Sequence, residues 1–155
     1  MNSSVSALPL SLVSNMAQAS SPVQDNVRHT RPLPTPAVLR QRLPLSDLLA
    51  QQVSAQRQAV RDILHGDDPR LLVVVGPCSI HDADAALDYA RRLADLAPEV
   101  ADQMLLVMRA YIEKPRTTVG WKGLVYDPQL DGSGDMARGL ELSRRLMLQM
   151  IELGL

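Results

Sequence analysis

Two short stretches of the sequence consist only of apolar residues, Leu71–Val75 and residues 105–108. Neither stretch alternates apolar with polar residues, as a strand with one face in water does. Each stretch therefore predicts a strand that is covered on both faces. Strands of this kind occur in parallel sheets with helices on both sides, so the two runs restrict the chain to an α/β fold.

Helical patterns precede, separate and follow the two strands. Before the first strand, apolar residues recur at spacings of three and four from Leu49 to Ile63, with Gln56 as one polar interruption. Ser46 is a suitable N-cap for this helix. Gly66 is expected just beyond its end, where glycine commonly stops a helix.

The other two helices follow one strand each. Asp82 or Asp84 is expected to cap the first of them, and Pro98 to end it. Its apolar stripe comprises Leu87, Ala90, Leu93 and Ala97, and the last helix carries Met136, Leu140, Met147 and Ile151. The order helix, strand, helix, strand, helix is typical of α/β folds with right-handed crossovers.

This order predicts the N-terminal portion of a (β/α)₈ TIM barrel, preceded by a helical extension. Three segments are expected: a flexible extension over residues 1–35, a helical segment over 36–69, and the first two β/α units over 70–155. A whole barrel takes about 250 residues, and two parallel strands cannot cover their own edges. We therefore expect the C-terminal part to be missing and the isolated 155 residues to fold poorly.

The charge of the chain is balanced, with 16 Lys and Arg residues against 17 Asp and Glu residues. This balance argues against a nucleic-acid partner, and no apolar run approaches the roughly 20 residues of a membrane span. The N-terminus lacks the basic region of a secretory signal, and one cysteine excludes an internal disulfide framework. We expect a cytoplasmic protein with no membrane partner.

The loop after the second strand concentrates the positive charge. From Arg109 to Gly123 it holds four cations against one carboxylate, and it contains both lysines of the chain, Lys114 and Lys122, beside the only tryptophan, Trp121. Ligands of parallel α/β folds bind at the carboxyl ends of the strands, so the loop suits phosphate or carboxylate ligands. The alternative is an ordinary solvated basic loop.

The loop after the first strand contains the single cysteine, in the run Gly76-Pro77-Cys78-Ser79-Ile80-His81-Asp82. A lone cysteine at such a place is commonly a small buried apolar residue. The functional alternative is a thiolate that binds a divalent metal. His81 and Asp82 are close in sequence, but no further cluster has metal-ligand spacing, so a complete metal site is not expected from this chain alone.

The two loops together resemble a known pair of signatures. The run 76–82 and the run Lys114-Pro115-Arg116-Thr117-Thr118-Val119-Gly120-Trp121-Lys122-Gly123 are similar to the N-terminal signatures of the type I, microbial 3-deoxy-7-phosphoheptulonate synthases. The resemblance runs from about residue 36 to residue 155. The related 3-deoxy-manno-octulosonate 8-phosphate synthases share the barrel and the Gly-Pro-Cys start but not the Lys-Pro-Arg-Thr-Thr run.

The resemblance implies roles for particular residues. Cys78 matches the one metal ligand in this part of the enzyme, for a divalent ion such as Mn²⁺, Fe²⁺ or Co²⁺. Arg109 and Lys114 match residues that hold phosphoenolpyruvate. The residues that match contacts to erythrose 4-phosphate are Lys114, Pro115, Arg116 and Thr117.

The activity that the resemblance implies is an aldol-like condensation of phosphoenolpyruvate with D-erythrose 4-phosphate. It yields 3-deoxy-7-phosphoheptulonate and phosphate, at the start of the shikimate pathway to aromatic amino acids. Lys114 is expected to bridge the two substrates and to stabilise developing oxyanion charge. Its replacement by methionine in the full-length enzyme is expected to abolish turnover while leaving the fold intact.

The resemblance also implies feedback by an aromatic amino-acid effector and a homo-oligomer. Two other interpretations stay open. A doubly wound phosphate-binding domain would carry a Gly-x-Gly-x-x-Gly turn, which the first loop lacks. A truncated, catalytically inactive remnant or interaction module is the second, because three of the four metal ligands would lie beyond residue 155.

Overall fold

The computed structural model of the chain describes residues 32–114 and 119–155. The elements in chain order are α1 (Pro36–Arg42), α2 (Asp47–His65), β1 (Leu71–Val75), α3 (Ala83–Leu96), a 3₁₀ helix (Ala97–Val100), β2 (Met104–Met108) and α4 (Met136–Glu152). The predicted alternation of helices and strands is confirmed. None of these helices has the length and apolar content that a bilayer crossing requires.

The helix ends lie where capping side chains occur in the sequence. Ser46 accepts a hydrogen bond from the Leu49 N–H at 3.3 Å, and Gly66 ends α2 in the left-handed conformation at φ +86°. Asp82, and not Asp84, caps α3, because its carboxylate accepts from the Ala85 N–H at 2.9 Å. The predicted boundaries of α2 and α3 therefore follow from local hydrogen bonding.

The two strands pair in parallel with a simple register, from Leu71 opposite Met104 to Val75 opposite Met108. The chain between them forms α3, which packs against α4 and β2. A parallel pair needs such a crossover, because its strands must start at the same end of the sheet. The carboxyl ends of β1 and β2 consequently lie side by side.

The described residues do not cover both faces of the strands, contrary to the sequence prediction. Leu71 is 59% exposed and Val74 is 63% exposed. Within the described ranges no element buries these two side chains, and the two-stranded sheet also leaves each strand one unpaired edge. The open side of β2 borders a groove of about 630 Å³, which also contacts α2 and the end of α4.

The buried core lies between α3, α4 and the loops that follow the strands. Its members are Ile80, Ala86, Leu87, Ala90, Leu124, Leu146 and Met150. Ile80 and Leu124 belong to the two polar loops, and each is at most 2% exposed. Ile80 anchors the loop after β1 in the core, and Leu124, with the partly buried Ala110, Ile112 and Trp121, anchors the segment after β2.

Two glutamines explain the polar interruption in α2. The side-chain amide of Gln56 donates to the carbonyl of Gly154 at 2.8 Å, and that of Gln52 donates to the carbonyl of Ile151 at 2.7 Å. The last carbonyls of a helix lack partners within the helix. Gln56 therefore faces the end of α4, where a hydrogen-bond donor stabilises the contact better than an apolar residue would.

A pH dependence is expected from the turn between α2 and β1. Asp68 accepts from the side chain of Arg70, with a shortest N–O distance of 2.7 Å, and this interaction lowers the pKa of the Asp68 carboxyl. Because the pKa is lowered on folding, its stabilisation is present above the unfolded value of about 4 and is lost as the pH falls through the folded pKa. We expect the stability difference between wild type and Asp68→Asn to shrink from pH 7 to pH 3.

Urea unfolding of the full-length protein at several pH values measures this difference. The exposed neighbour Asp67 provides the control variant Asp67→Asn. A difference for Asp68→Asn that stays constant from pH 7 to pH 3 would contradict the prediction.

Candidate active site

The loops after β1 and β2 begin at the same edge of the sheet and stay hydrogen-bonded beyond it. The Arg109 N–H donates to the Val75 carbonyl, and the Ile80 N–H donates to the Tyr111 carbonyl, both at 2.8 Å. Gly76 lies directly against the Arg109 backbone, where a Cβ would overlap the carbonyl oxygen. Glycine is required at position 76 because the two loops approach so closely.

Three predicted site residues converge at this edge. The Arg109 guanidinium donates to the Cys78 carbonyl at 3.1 Å, and the Lys114 ammonium donates to the Cys78 sulfur at 3.2 Å. The guanidinium also stands over the ring of Tyr111, 4.8 Å from its centroid. Cys78 and Lys114 are 36 residues apart in sequence, so the parallel register of the strands brings them together.

The exposure of these side chains bears on whether Cys78 is a small buried apolar residue or a residue that can reach a ligand. Cys78 is exposed, and Arg109 is exposed beside it, whereas Lys114 is half-buried. A cysteine retained as a small apolar residue would be packed inside the core. Among the described residues Cys78 is therefore not packed as a small apolar core residue, and its role as a metal ligand stays a prediction.

The cationic loop forms a short hairpin whose stem carries both lysines. Glu113 and Gly123 form an antiparallel bridge, and the Lys114 N–H donates to the Lys122 carbonyl at 2.8 Å. Gly123 has φ +120°, and a Cβ there would lie 2.5 Å from the Glu113 Cα. The hairpin therefore holds the backbones of Lys114 and Lys122 opposite each other.

A tight turn follows the hairpin. Its backbone is closed by hydrogen bonds from the N–H groups of Tyr126 and Asp127 to the Gly123 carbonyl, at 3.1 and 3.0 Å. The indole N–H of Trp121 donates to the Asp127 carbonyl at 2.9 Å. Sequence reasoning did not include Asp127 in the site, and only the position of Trp121 between two lysines pointed to this region.

Three residues predicted to contact erythrose 4-phosphate, Pro115, Arg116 and Thr117, lie outside the described residues. Of the polar residues near Cys78, Asp82 caps α3 and His81 is exposed.

The fit of a divalent transition metal can be judged from the donors present. Within residues 32–114 and 119–155, no three or more His, Cys, Asp or Glu side chains are grouped so as to hold a metal ion. Cys78 is exposed and offers one sulfur, with the Lys114 ammonium 3.2 Å away. The described residues thus suit one ligand of such a site.

The fold and the loops together define a class of protein: a parallel α/β protein that places cationic side chains and a thiol at the carboxyl edge of its strands. In this class the carboxyl edge is where ligands bind. The chain belongs to the DAHP synthetase I family, which matches residues 48–150.

Similarity to individual proteins agrees with this membership. A phospho-2-dehydro-3-deoxyheptonate aldolase of Amycolatopsis methanolica is 56% identical over 124 residues, covering 80% of this chain and 61% of that protein. A Tyr-sensitive phospho-2-dehydro-3-deoxyheptonate aldolase of Escherichia coli K12 is 54% identical over 123 residues, covering 79% of this chain and 35% of that protein.

A solved structure extends the likeness to the fold. The phospho-2-dehydro-3-deoxyheptonate aldolase of Francisella tularensis SCHU S4 superposes with a TM-score of 0.80 at 42% sequence identity, covering 84% of this chain and 38% of that chain. The predicted α/β fold, as the N-terminal portion of a barrel, is confirmed by this match. The chain spans between about one third and three fifths of the length of these three relatives.

Proposed function

We propose that this chain supplies the substrate-binding loops of a 3-deoxy-7-phosphoheptulonate synthase, which condenses phosphoenolpyruvate with D-erythrose 4-phosphate. The observation that carries the proposal is the convergence of Arg109 and Lys114 on Cys78 at the carboxyl edge of β1 and β2. Both substrates carry phosphate, and one also carries a carboxylate, so a cationic edge suits both. The aldolase names of the relatives support the same reaction.

In this reaction C3 of phosphoenolpyruvate bonds to the aldehyde carbon of erythrose 4-phosphate, water adds at C2, and phosphate leaves. Arg109 would pair with phosphoenolpyruvate, held in place by the Cys78 carbonyl and by the Tyr111 ring. Lys114 would lie between the two substrates and stabilise, or protonate, the aldehyde oxygen as negative charge develops on it. By family similarity, Pro115, Arg116 and Thr117 would contact erythrose 4-phosphate.

A divalent metal of the Mn²⁺, Fe²⁺ or Co²⁺ class would be held by the Cys78 sulfur together with ligands from outside the described residues. When bound, such an ion polarises the aldehyde as a Lewis acid. The Lys114 ammonium donates to the same sulfur at 3.2 Å, so the residue that would hold the metal and the cation that would act on the substrates lie together at this edge. The structure does not identify the metal.

The direct test is a condensation assay with the protein expressed from its complete reading frame. The assay supplies the two substrates with Mn²⁺, Fe²⁺ or Co²⁺ in turn, and it detects the heptulonate product and released phosphate. We expect product with at least one of the ions and none from the 155 residues alone. No product from the complete protein under any of these conditions would favour the inactive remnant or interaction module.

Cys78→Ser is expected to weaken metal binding by about 10²-fold or more, because the hydroxyl is a far poorer ligand than a thiolate for these ions. Titration of the complete protein with Co²⁺, followed through the thiolate-to-metal absorption band, measures the affinity without an activity assay. His81→Ala, an exposed change three residues away, is the matched control. Equal Co²⁺ affinity in wild type and Cys78→Ser would exclude Cys78 as a ligand.

Regulation and organisation are proposed from the relatives. The names of several relatives describe them as Tyr-sensitive or Trp-sensitive, and we infer that an aromatic amino acid also regulates the complete protein. A homo-oligomer and a cytoplasmic location remain predictions, as does the division into segments 1–35, 36–69 and 70–155.

A further inference from the structure

The turn after the cationic hairpin is held by hydrogen bonds to the backbone and the carboxylate of one residue, Asp127. We propose that Asp127 is a positioning residue for anion binding: it holds Trp121 and the lysine-bearing stem in the arrangement that receives a phosphorylated ligand. This inference rests on the proposed function, because phosphoenolpyruvate is the ligand of the test.

Asp127 makes separate contacts through its N–H, its carbonyl and its carboxylate. Its N–H donates to the Gly123 carbonyl at 3.0 Å, and its own carbonyl accepts from the Trp121 indole at 2.9 Å. Its carboxylate accepts from the Gly132 N–H at 3.1 Å. One residue therefore ties together the Gly123 carbonyl, the Trp121 indole and the Gly132 N–H.

The carboxylate of Asp127 helps to fix the direction of the carbonyl of the same residue. The direction of a carbonyl follows the orientation of its peptide plane. The hydrogen bond from the Gly132 N–H to the Asp127 carboxylate restrains the backbone of the turn from 127 to 132. Without that bond the Asp127 carbonyl is held within the turn only by the longer bond from the Leu130 N–H, at 3.4 Å, so the acceptor of the Trp121 indole is less fixed. The carboxylate thus acts on Trp121 through the backbone of Asp127.

The turn is linked to Lys114 through the backbone of Lys122. Trp121 and Gly123 flank Lys122, whose carbonyl accepts from the Lys114 N–H at 2.8 Å. The contacts of Asp127 with Gly123 and Trp121 therefore fall on the two residues next to Lys122, whose carbonyl fixes the Lys114 backbone. Movement of this strand of the hairpin would displace the Lys114 ammonium from the Cys78 edge.

The state of the second carboxylate oxygen argues against a role in stability alone. Oδ1 of Asp127 is buried and has no hydrogen-bond donor among the described residues. A buried carboxylate oxygen without a donor is costly, so this residue makes a poor choice for turn stability. A function that depends on the geometry of the turn accounts for the residue better.

The test measures phosphoenolpyruvate affinity and indole environment together, in the full-length protein. Asp127→Ala removes the bond to Gly132, whereas Asp127→Asn keeps an acceptor oxygen of the same shape. Asp135→Ala is the matched control, since Asp135 caps α4 from the same loop without contacting Trp121. The protein is labelled with 5-fluorotryptophan, and the ¹⁹F signal of Trp121 is assigned by its loss in Trp121→Phe.

We expect Asp127→Ala to raise the KM for phosphoenolpyruvate about tenfold, the effect of one lost hydrogen bond in the site, with kcat changed much less. Its Trp121 ¹⁹F signal should shift or broaden, and Asp127→Asn should restore both values. The Asp135→Ala control should lower thermal stability and leave KM and the signal unchanged.

Three outcomes would overturn the proposal: an unchanged KM in Asp127→Ala, a loss in Asp127→Asn as large as that in Asp127→Ala, or equal effects from the control. Wild-type protein that does not bind phosphoenolpyruvate contradicts the proposed function itself, which separates the two failures.

Discussion

Replacing Lys114 by methionine is expected to lower kcat/KM for the condensation by about 10³-fold or more, because one charged donor in the site is removed. Lys114 is half-buried, with its ammonium 3.2 Å from the Cys78 sulfur. Methionine has a similarly long, unbranched side chain, so it fills the same space without the charge. The circular dichroism spectrum and the melting temperature of the full-length variant should match those of the wild type.

Lys122→Met is the control that isolates position from charge. Lys122 is exposed and lies opposite Lys114 on the hairpin, so its loss removes the same charge from the same loop. We expect a much smaller effect on kcat than that of Lys114→Met. Turnover retained in Lys114→Met, or equal losses of kcat in the two variants, would exclude the proposed role of Lys114.

Replacing Gly139 by alanine is expected to lower the free energy of unfolding by about 2–4 kcal/mol. Gly139 is buried within α4, and a Cβ there would overlap the carbonyl oxygen of Val125 and lie 2.8 Å from that of Leu124. Backbone atoms cannot rotate away as a flexible side chain can. Helix α4 would therefore have to move away from the segment that anchors the cationic hairpin.

Helix propensity alone predicts the opposite sign for this substitution, since alanine in a helix interior is favoured over glycine by about 1 kcal/mol. Urea unfolding of the full-length protein distinguishes the two expectations. Gln149→Ala, an exposed change on the same helix, should alter stability by no more than about 0.5 kcal/mol. A stabilised Gly139→Ala would show that the contact with Val125 relaxes freely.

Much of the secondary structure could be predicted because its causes are local. The continuous apolar runs became β1 and β2, and Ser46 and Gly66 delimit α2 where capping chemistry requires. The two loops could be assigned to one edge of the sheet because parallel strands end together. The four cations of the loop after β2 indicate anionic ligands from residue type alone.

Other features could not be predicted because they depend on residues far apart in sequence. The sequence pattern pointed to Met136, Leu140, Met147 and Ile151 as the apolar residues of α4. The most buried residues of that helix are instead Gly139, Ser143, Leu146 and Met150. Gly139 explains why this face of α4 is the buried one, because only a residue without a side chain allows the backbone at residues 124–125 to approach so closely.

Residue type and spacing along the chain are enough to predict the α/β class, the family resemblance and the chemical nature of the two loops. The tertiary structure decided that Cys78 is exposed and that Lys114 and Arg109 meet at it. It also brings the Trp121 indole to the Asp127 carbonyl and the Gly132 N–H to the Asp127 carboxylate. Contacts across 31 and 36 residues depend on strand register and core packing, which no local pattern specifies.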